Sequence, residues 1–346
     1  MAKNKAVGLD IGTRTVTVAA VANKGGRPQV TTYGQAELPE DAVREGEILN
    51  PEAVTEVVKT LMKDTGVKGK DVLLGVANQR VVVRQVELPK LPEDELRQSL
   101  PYTVQEFIPM PVEDAELDFY VLDEVTGDSG AELLRVLLVA AQKDMIAGHV
   151  AVAKAAGLKP IGVDLNPFAL LRALADDSVL NDGATRAYID VGAGVTSIVV
   201  ARGDVPLFVR ILVLGGNDVT AAVSAAEGAP FADAEVRKRE LGMDPDSDTG
   251  RAISDRAGQF VDEIRSSLDY FRAQSSAGAV SQVVIAGGGS QLRGLADRLG
   301  QVLNVPVELA RPFDRVPSAS GESAEVLEAR GPLVTTAIGL ALGGLE

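Results

Sequence analysis

The sequence has no cysteine and a single histidine among 346 residues. The first absence excludes disulfides, thiolate metal centres and cysteine nucleophiles, and it leaves the redox compartment unassigned. The second restricts any Ser-His-Asp triad or histidine-containing metal site to His149. That residue lies in "DMIAGHVAVAKAAG", an amphipathic helical pattern with no serine motif beside it, so it reads as structural. Basic residues are also scarce relative to acidic ones, 34 against 49, for a net charge of −15. A surface of that sign repels phosphodiester backbones and anionic bilayers, which argues against nucleic-acid partners and direct membrane adsorption. Long hydrophobic runs are missing too. "LVTTAIGLALGGL" has 13 residues where a membrane span needs roughly 20, and it reads as a buried helix. "MAKNKAVGLD" reaches Asp10 without the apolar run of a signal peptide, so the expected location is the cytoplasm.

What remains is an ordinary globular composition, 46% apolar and 24% charged, long enough for two domains or one two-lobed one. An offset of 180 residues lays "GLDIGTRTVTVAAVANKGG" over "YIDVGAGVTSIVVARGD", with Asp10 on Asp190 and Gly12 on Gly192. Each segment runs apolar strand, Asp-x-Gly, small-residue turn, second strand. A single repeat this long is not a solenoid; it predicts two related half-molecules that open alike.

Between the hairpins, residues 51–64 have helical periodicity with Val54, Val57, Val58 and Leu61 on one face. Residues 71–88 are strand-like. A proline- and acid-rich stretch follows, in which Pro92 and the acids after it suit a helix start and Pro101 should kink or split the helix. Residues 115–123 and 132–142 read as a hairpin around "TGDSG", and a helix at 143–157 ends at Gly157. The expected organisation is a first subdomain from 1–85 and 159–185, an inserted one over 86–158, a second main subdomain from 186–216 and 280–346, and a fourth over 217–279.

An acid at a strand end followed by glycine points a carboxylate past the sheet edge and lets backbone N–H groups approach a phosphate. One such turn is equally a hairpin turn; two in matched halves make a site. Asp10 and Asp190 facing one cleft would hold Mg²⁺, mostly through water, and the hydroxyls of Thr13, Thr15 and Thr196 could donate to the same phosphate oxygens. In "IAGGGSQLRGLADRLG", Gly287, Gly288 and Gly289 allow flat approach of a ring or ribose, and Ser290 suits the N-cap of a following helix near Gln291. "MDPDSDTGRAISD" places Asp244, Asp246 and Asp248 at alternate positions, but Gly250 and Asp255 do not fit the calcium-loop pattern, and it reads as an acidic surface loop.

These three motifs resemble the two phosphate motifs and the adenosine motif of the actin / Hsp70 / sugar-kinase superfamily, over most of the chain. The resemblance implies an α/β, actin-like (ribonuclease H-like) duplicated two-lobed fold with an inserted α+β subdomain in the first half. It also implies ATP and Mg²⁺ as ligands, with Arg14, Gly192, Gly194, Gly215 and Gly216 among the contacts. In "DAEVRKRELG", Glu235 and Lys238 match the acid and base that meet ribose and adenine; on their own they would be an exposed i,i+3 ion pair. Within the superfamily the chain resembles the PilM family of the FtsA-like branch, through "EGEILNPEAVTEVVKTLMK", "LPEDELRQSLPYTVQEFIPMPVEDAELDF", "AAGLKPIGVDLNPFALLRAL" and "DEIRSSLDYFRAQ". That implies a scaffold of the type IV pilus inner-membrane platform. Its partners would be the cytosolic tail of a PilN-type membrane protein and other platform proteins, with self-association left open. The chain would then reach the membrane only through its partner, and the amphipathic anchor that ends FtsA is expected to be absent.

Two positions depart from the superfamily pattern. Thr17 stands where many relatives have a phosphate-reaching lysine. Asn166 stands near where hydrolysing relatives have an acid or glutamine, and an amide takes no proton from water at neutral pH; Asn166 or Asp164 could still orient one. Both argue for slow or absent hydrolysis. The competing functions are an FtsA-like filament former and a small-molecule kinase of the same fold. The partner would dock at the insert, where Leu96, Leu100, Tyr102, Phe107, Ile108 and Met110 form an apolar cluster in an aromatic-poor chain; that cluster also reads as the insert's own core.

Overall fold

The computed structural model describes residues 4–127, 130–175, 183–275 and 278–345. The first half begins with the meander β1 (Lys5–Ile11), β2 (Thr15–Lys24) and β3 (Arg27–Glu37). A short ribbon, β4 (Val43–Arg44) and β5 (Glu47–Ile48), leads to α1 (Pro51–Thr65) and β6 (Asp71–Val76). Helix α1 starts where the Asn50 side chain accepts from the Ala53 N–H, with Pro51 inside the first turn, and it stops at Gly66 in the left-handed conformation. Val54, Val58 and Leu61 then face the sheet.

The insert follows: β7 (Val81–Pro89), α2 (Glu93–Thr103), β8 (Ala115–Thr126) and β9 (Glu132–Gln142), with sheet order β7-β9-β8. The hairpin residues Asp128 and Ser129 lie outside the described residues. Helix α2 runs through Pro101 without splitting, because the proline falls in the last turn and removes only one bond before the helix ends. Leu96, Leu100, Ile108 and Met110 are buried with Val86, Phe119 and Val136 in the insert's core, and Phe107 packs against it; Tyr102 is 87% exposed. The strand-like stretch at 71–88 is two strands, and the insert's sheet starts at Val81, paired with Ala141, rather than at residue 86. Helix α3 (Lys143–Ala155), expected within the insert, packs Val152 and Ala153 into the first lobe's core beside α1. His149 on α3 is buried with Nδ1 3.1 Å from the Met145 carbonyl. Burial lowers its pKa, in keeping with a structural role.

Strand β10 (Lys159–Leu165) completes the first sheet, order β10-β6-β1-β2-β3, and leads into α4 (Asn166–Leu174). The second half repeats the plan with β11 (Thr185–Val191), β12 (Thr196–Arg202) and β13 (Val205–Leu212). After them come α5 (Gly216–Glu227), α6 (Phe231–Leu241), α7 (Asp248–Gln274), β14 (Gln282–Ala286), α8 (Leu295–Leu303), β15 (Val307–Leu309), a single turn α9 (Pro312–Arg315) and α10 (Ala324–Gly343). Its sheet order, β13-β12-β11-β14-β15, is the first sheet's order with corresponding strands, antiparallel and parallel pairings included. Register agrees as well: Asp10 pairs with Thr17 and Asp190 with Ser197.

Two helices exchange lobes. Helix α4, at the end of the first half, packs Leu170 and Leu171 against Tyr188 and Val199 of the second sheet. Helix α10, at the end of the second half, packs Ala337, Ile338 and Ala341 against Ala6 and Ala19 of the first. They cross at Gly339, where a Cβ would come within 1.7 Å of the Ala169 carbonyl oxygen, and Gly8 leaves the same kind of space under Ala337. "LVTTAIGLALGGL" is therefore a buried helix, as its composition predicts. No helix of the described residues is long and apolar enough to cross a membrane.

Candidate functional site

The chain leaves β1 at Ile11 and turns back at Thr15, with Gly12 N–H donating to the Thr15 carbonyl at 2.9 Å; Gly192 N–H donates to the Val195 carbonyl at 3.0 Å. Both turns open onto one cavity of about 670 Å³ between the lobes, within the usual range for a small-molecule site. Among the described residues no protein acceptor takes the backbone N–H groups of Thr13, Arg14, Ala193 and Gly194. Such clustered free donors form an anion-binding concavity.

Asp10 and Asp190 stand in the cavity wall. Withdrawal from water, then the neighbouring Asp190 charge, push Asp10 up to about 7, and a hydrogen bond from Asn166 opposes them. Burial also raises Asp190, opposed by Thr336. The contacts are specific: Asn166 Nδ2 donates to Asp10 Oδ1 at 2.9 Å, and Thr336 Oγ1 to Asp190 Oδ2 at 2.7 Å. Two acids that resist charging together call for a cation between them. Asn166 Oδ1 adds an unmet need, as it is buried with no partner, and an unpaired buried acceptor is destabilising unless something donates to it. The donor set suits a hydrated Mg²⁺, which Asp10 and Asp190 would hold through its waters, and the unpartnered Asn166 Oδ1 would accept from that hydration shell.

The triple glycine lies against the second acid. Gly287 adopts φ +81°, and a Cβ there would fall 2.2 Å from Asp190 Oδ1; one on Gly289 would fall 2.4 Å from Val191 Cγ1. Gly287 N–H donates to the Pro332 carbonyl, which ties this turn to α10. Ser290 does not cap a helix. Its hydroxyl closes back on the Gly287 carbonyl at 2.7 Å within a 3₁₀ turn, and α8 begins only at Leu295.

Opposite, Glu235 and Lys238 form a buried network rather than an exposed pair. Lys238 Nζ donates to Glu235 Oε2 at 2.6 Å, to Thr220 Oγ1 at 2.9 Å and to the Gly216 carbonyl at 3.1 Å, while Arg239 Nε reaches Glu235 Oε1 at 2.8 Å. Burial opposes charging of Glu235, but bonds from Lys238, Thr220 and Arg239 outweigh it and hold the carboxyl below its ordinary value. Burial lowers the Lys238 pKa, with Glu235 compensating in part. Gly215 and Gly216 line the cavity, yet their N–H groups are occupied. Gly216 donates to the Gly192 carbonyl and Gly215 to Asp218 Oδ2, so they supply close approach rather than donors.

Asp10, Gly12, Thr13, Arg14, Thr15, Asn166, Asp190, Gly192, Gly215, Gly216, Glu235, Lys238 and Gly287–Gly289 all line the cavity. Gly194 instead meets Thr13 of the other lobe, where a Cβ would lie 2.9 Å from Thr13 Oγ1. Thr196 is fully buried and donates to the Leu214 carbonyl at 2.8 Å. It pairs with Val191, not Asp190, so strand alternation turns it away and brings Ser197 to the cavity. Asp164 is also turned away: Arg172 Nη1 holds its Oδ2 at 2.8 Å and its Oδ1 accepts the Leu165 N–H. It does not line the cavity. The acidic loop is a turn and a cap, with Asp246 N–H bonded to Asp244 Oδ1 and Ser247 capping α7; no metal cluster occurs among the described residues. Sequence reasoning missed Gln35, which holds the Thr15 and Thr17 hydroxyls, as well as Thr336 and Ser197. The paired threonines inside an apolar helix were the one available signal for Thr336.

Comparison with known proteins adds to this geometry. A family model described as type IV pilus assembly protein PilM matches residues 8–345. A solved PilM–PilN type IV pilus biogenesis complex is 31% identical, covering 99% of this chain and 98% of that one, with a TM-score of 0.89. The cell division protein FtsA of Streptococcus pneumoniae serotype 2 is 23% identical over 88% of this chain and 75% of its own length. The ethanolamine utilization protein EutJ of Carboxydothermus hydrogenoformans, 15% identical over 99% of this chain and 91% of its own, has a TM-score of 0.58 and shares the fold.

Proposed function

The chain belongs to the PilM family of type IV pilus assembly proteins, and on that premise we propose that it is a nucleotide-loaded scaffold of a pilus assembly platform. Its ligand is Mg-ATP in the interlobe cavity. Its partner is the cytosolic tail of a PilN-type membrane protein, through which it is held at the inner face of the cell membrane. The observation that carries the nucleotide half is the pairing of matched turns: two buried carboxylates and two sets of free N–H groups, one from each lobe, converge on one cavity. The partner half rests on likeness to a PilM solved together with PilN.

Bound Mg²⁺ would supply charge neutralisation between the acids and the phosphates. The chain's own residues do the rest. Thr13, Arg14 and Thr15 face the phosphates from one lobe and the Gly192–Ala193 turn, with the free Ala193 N–H, from the other. The glycine turn and the Glu235–Lys238 network take the ribose and base. Because the contacts come from both lobes, ligand binding draws them together, and the insert moves with them; partner affinity then depends on nucleotide state. Hydrolysis is slow. Asn166 offers an amide where a base is needed, and Asp164 is tied to Arg172.

The test is to incubate purified protein with Mg-ATP, then measure nucleotide retained and phosphate released over an hour. Retained, intact ATP is expected, together with tighter binding of a PilN-type tail peptide in ATP than without it. Loss of ATP on washing, or rapid turnover raised by a small hydroxyl compound, would overturn the scaffold.

A further inference from the structure

Three cations line the interlobe cavity: Arg14, Lys238 and Arg239. The last two are both bonded to Glu235. Arg14 has no carboxylate partner among the described residues; its guanidinium lies over the Phe231 ring, 5.6 Å from the centroid. That contact crosses the mouth of the cleft, because Arg14 sits in the turn of the first lobe and Phe231 opens α6 in the second. The positive charge of Arg14 is felt at Lys238, where it opposes protonation. Arg14 thus brings to the cavity a cation that no carboxylate of the described residues pairs with, and that marks a place for a negative ligand. Phe231 itself is not a cavity-lining residue.

A ring face holds a guanidinium weakly compared with a phosphate, which accepts two parallel charge-assisted hydrogen bonds from the planar fork. Thr17, paired with Asp10 deeper in the same wall, carries a hydroxyl already held by Gln35 and supplies no charge. Arg14 is thus the one cation of the first turn free to change partners. Resting on the nucleotide reading above, we propose that Arg14 is an exchangeable clasp. It bridges the lobes through Phe231 when no nucleotide is bound, and leaves that ring for the terminal phosphate when a nucleoside triphosphate enters. The exchange makes the site discriminate triphosphate from diphosphate and frees the mouth of the cleft only for the former.

The experiment is titration calorimetry of the full chain with Mg-ATP and Mg-ADP, for wild type, Arg14→Ala, Arg14→Lys and Phe231→Leu. Arg14→Ala is expected to lose about tenfold or more in ATP affinity and little for ADP. Arg14→Lys should recover part of the loss, since the charge remains without the fork. Phe231→Leu should bind ATP at least as tightly as wild type, because a competing partner is gone and no cavity wall has changed. Equal loss of both nucleotides in Arg14→Ala, no loss in either, or weaker ATP binding in Phe231→Leu would overturn the clasp while leaving the nucleotide site standing. Wild type that binds neither nucleotide would instead overturn the site itself.

Discussion

The first half's turn carries side chains, Thr13, Arg14 and Thr15, whereas the second half's turn, Gly192 to Val195, carries almost none. Backbone topology and register are the same in both. The difference lies in what is packed behind. Helix α5 docks directly on the second turn, with Gly216 and Asn217 N–H groups donating to the Gly192 and Ala193 carbonyls. A Cβ on Gly215 would lie 2.5 Å from the Gly192 carbonyl oxygen, so only bare backbone fits. At the first turn it is not a helix start but the end of β3 that docks, with Leu38 N–H donating to the Arg14 carbonyl at 2.8 Å, and the side chains of the turn project into the cavity. The acids differ likewise. Asp10 is held by an asparagine that keeps one acceptor unpaired, and Asp190 by a threonine on α10. Duplication thus leaves one frame with two tasks: one lobe offers side-chain chemistry, the other a rigid backbone cradle.

Breaking either acid should have the largest effect. Asp10→Asn and Asp190→Asn should each lower Mg-nucleotide affinity by about a hundredfold or more in calorimetry, with the fold intact by circular dichroism. Asp10→Asn also sharpens the contrast between the halves through pH. A carboxyl whose pKa rises on folding binds extra protons in the native state, so stability falls as pH rises from 3.8 to about 7. Without nucleotide, wild type should lose melting temperature across that window. The variant should be flatter and melt higher at pH 8.

Next is the meeting of the two turns. Gly194→Ala brings a Cβ to 2.9 Å from Thr13 Oγ1. It should weaken nucleotide binding by roughly tenfold, and Thr13→Ala in the same chain should restore most of it, a coupling that a double-mutant cycle measures. Thr336→Val removes the donor to Asp190 and should cost about 1 kcal/mol of binding, read as a several-fold rise in Kd. The smallest effect is the most discriminating within the second hairpin. Ser197→Ala should shift nucleotide affinity by a factor of about 2–5. Thr196→Val should leave it unchanged and lower only stability, by about 1 kcal/mol in urea titration.

The duplication was legible because Asp-x-Gly, its flanking strands and the 180-residue offset are all local or periodic signals. Gly12, Gly192 and both acids followed from it, while the triple glycine was a separate local motif. Thr196 was misplaced because strands alternate faces at every residue, and a pattern read only to within one position cannot say which of two adjacent hydroxyls faces inward. Asp164 failed for a related reason. The chain changes from strand to helix between it and Asn166, so neighbours in sequence point to different partners.

By itself the sequence determined the elements: strands from alternation, α1 from its cap and periodicity, the turns from Asp-x-Gly, and a surface charge that repels nucleic acid. Tertiary structure alone decided the exchange of α4 and α10 between lobes, the bond from Thr336 to Asp190 across 146 positions, the support of Thr17 by Gln35, and the reach of Arg14 to Phe231. The Gln35 contact depends on the register of β2 against β3, and the others on packing two lobes against each other. Local propensity and spacing carry no information about which distant surface a helix or side chain will find, because that choice is made by burial and shape complementarity summed over the whole interface.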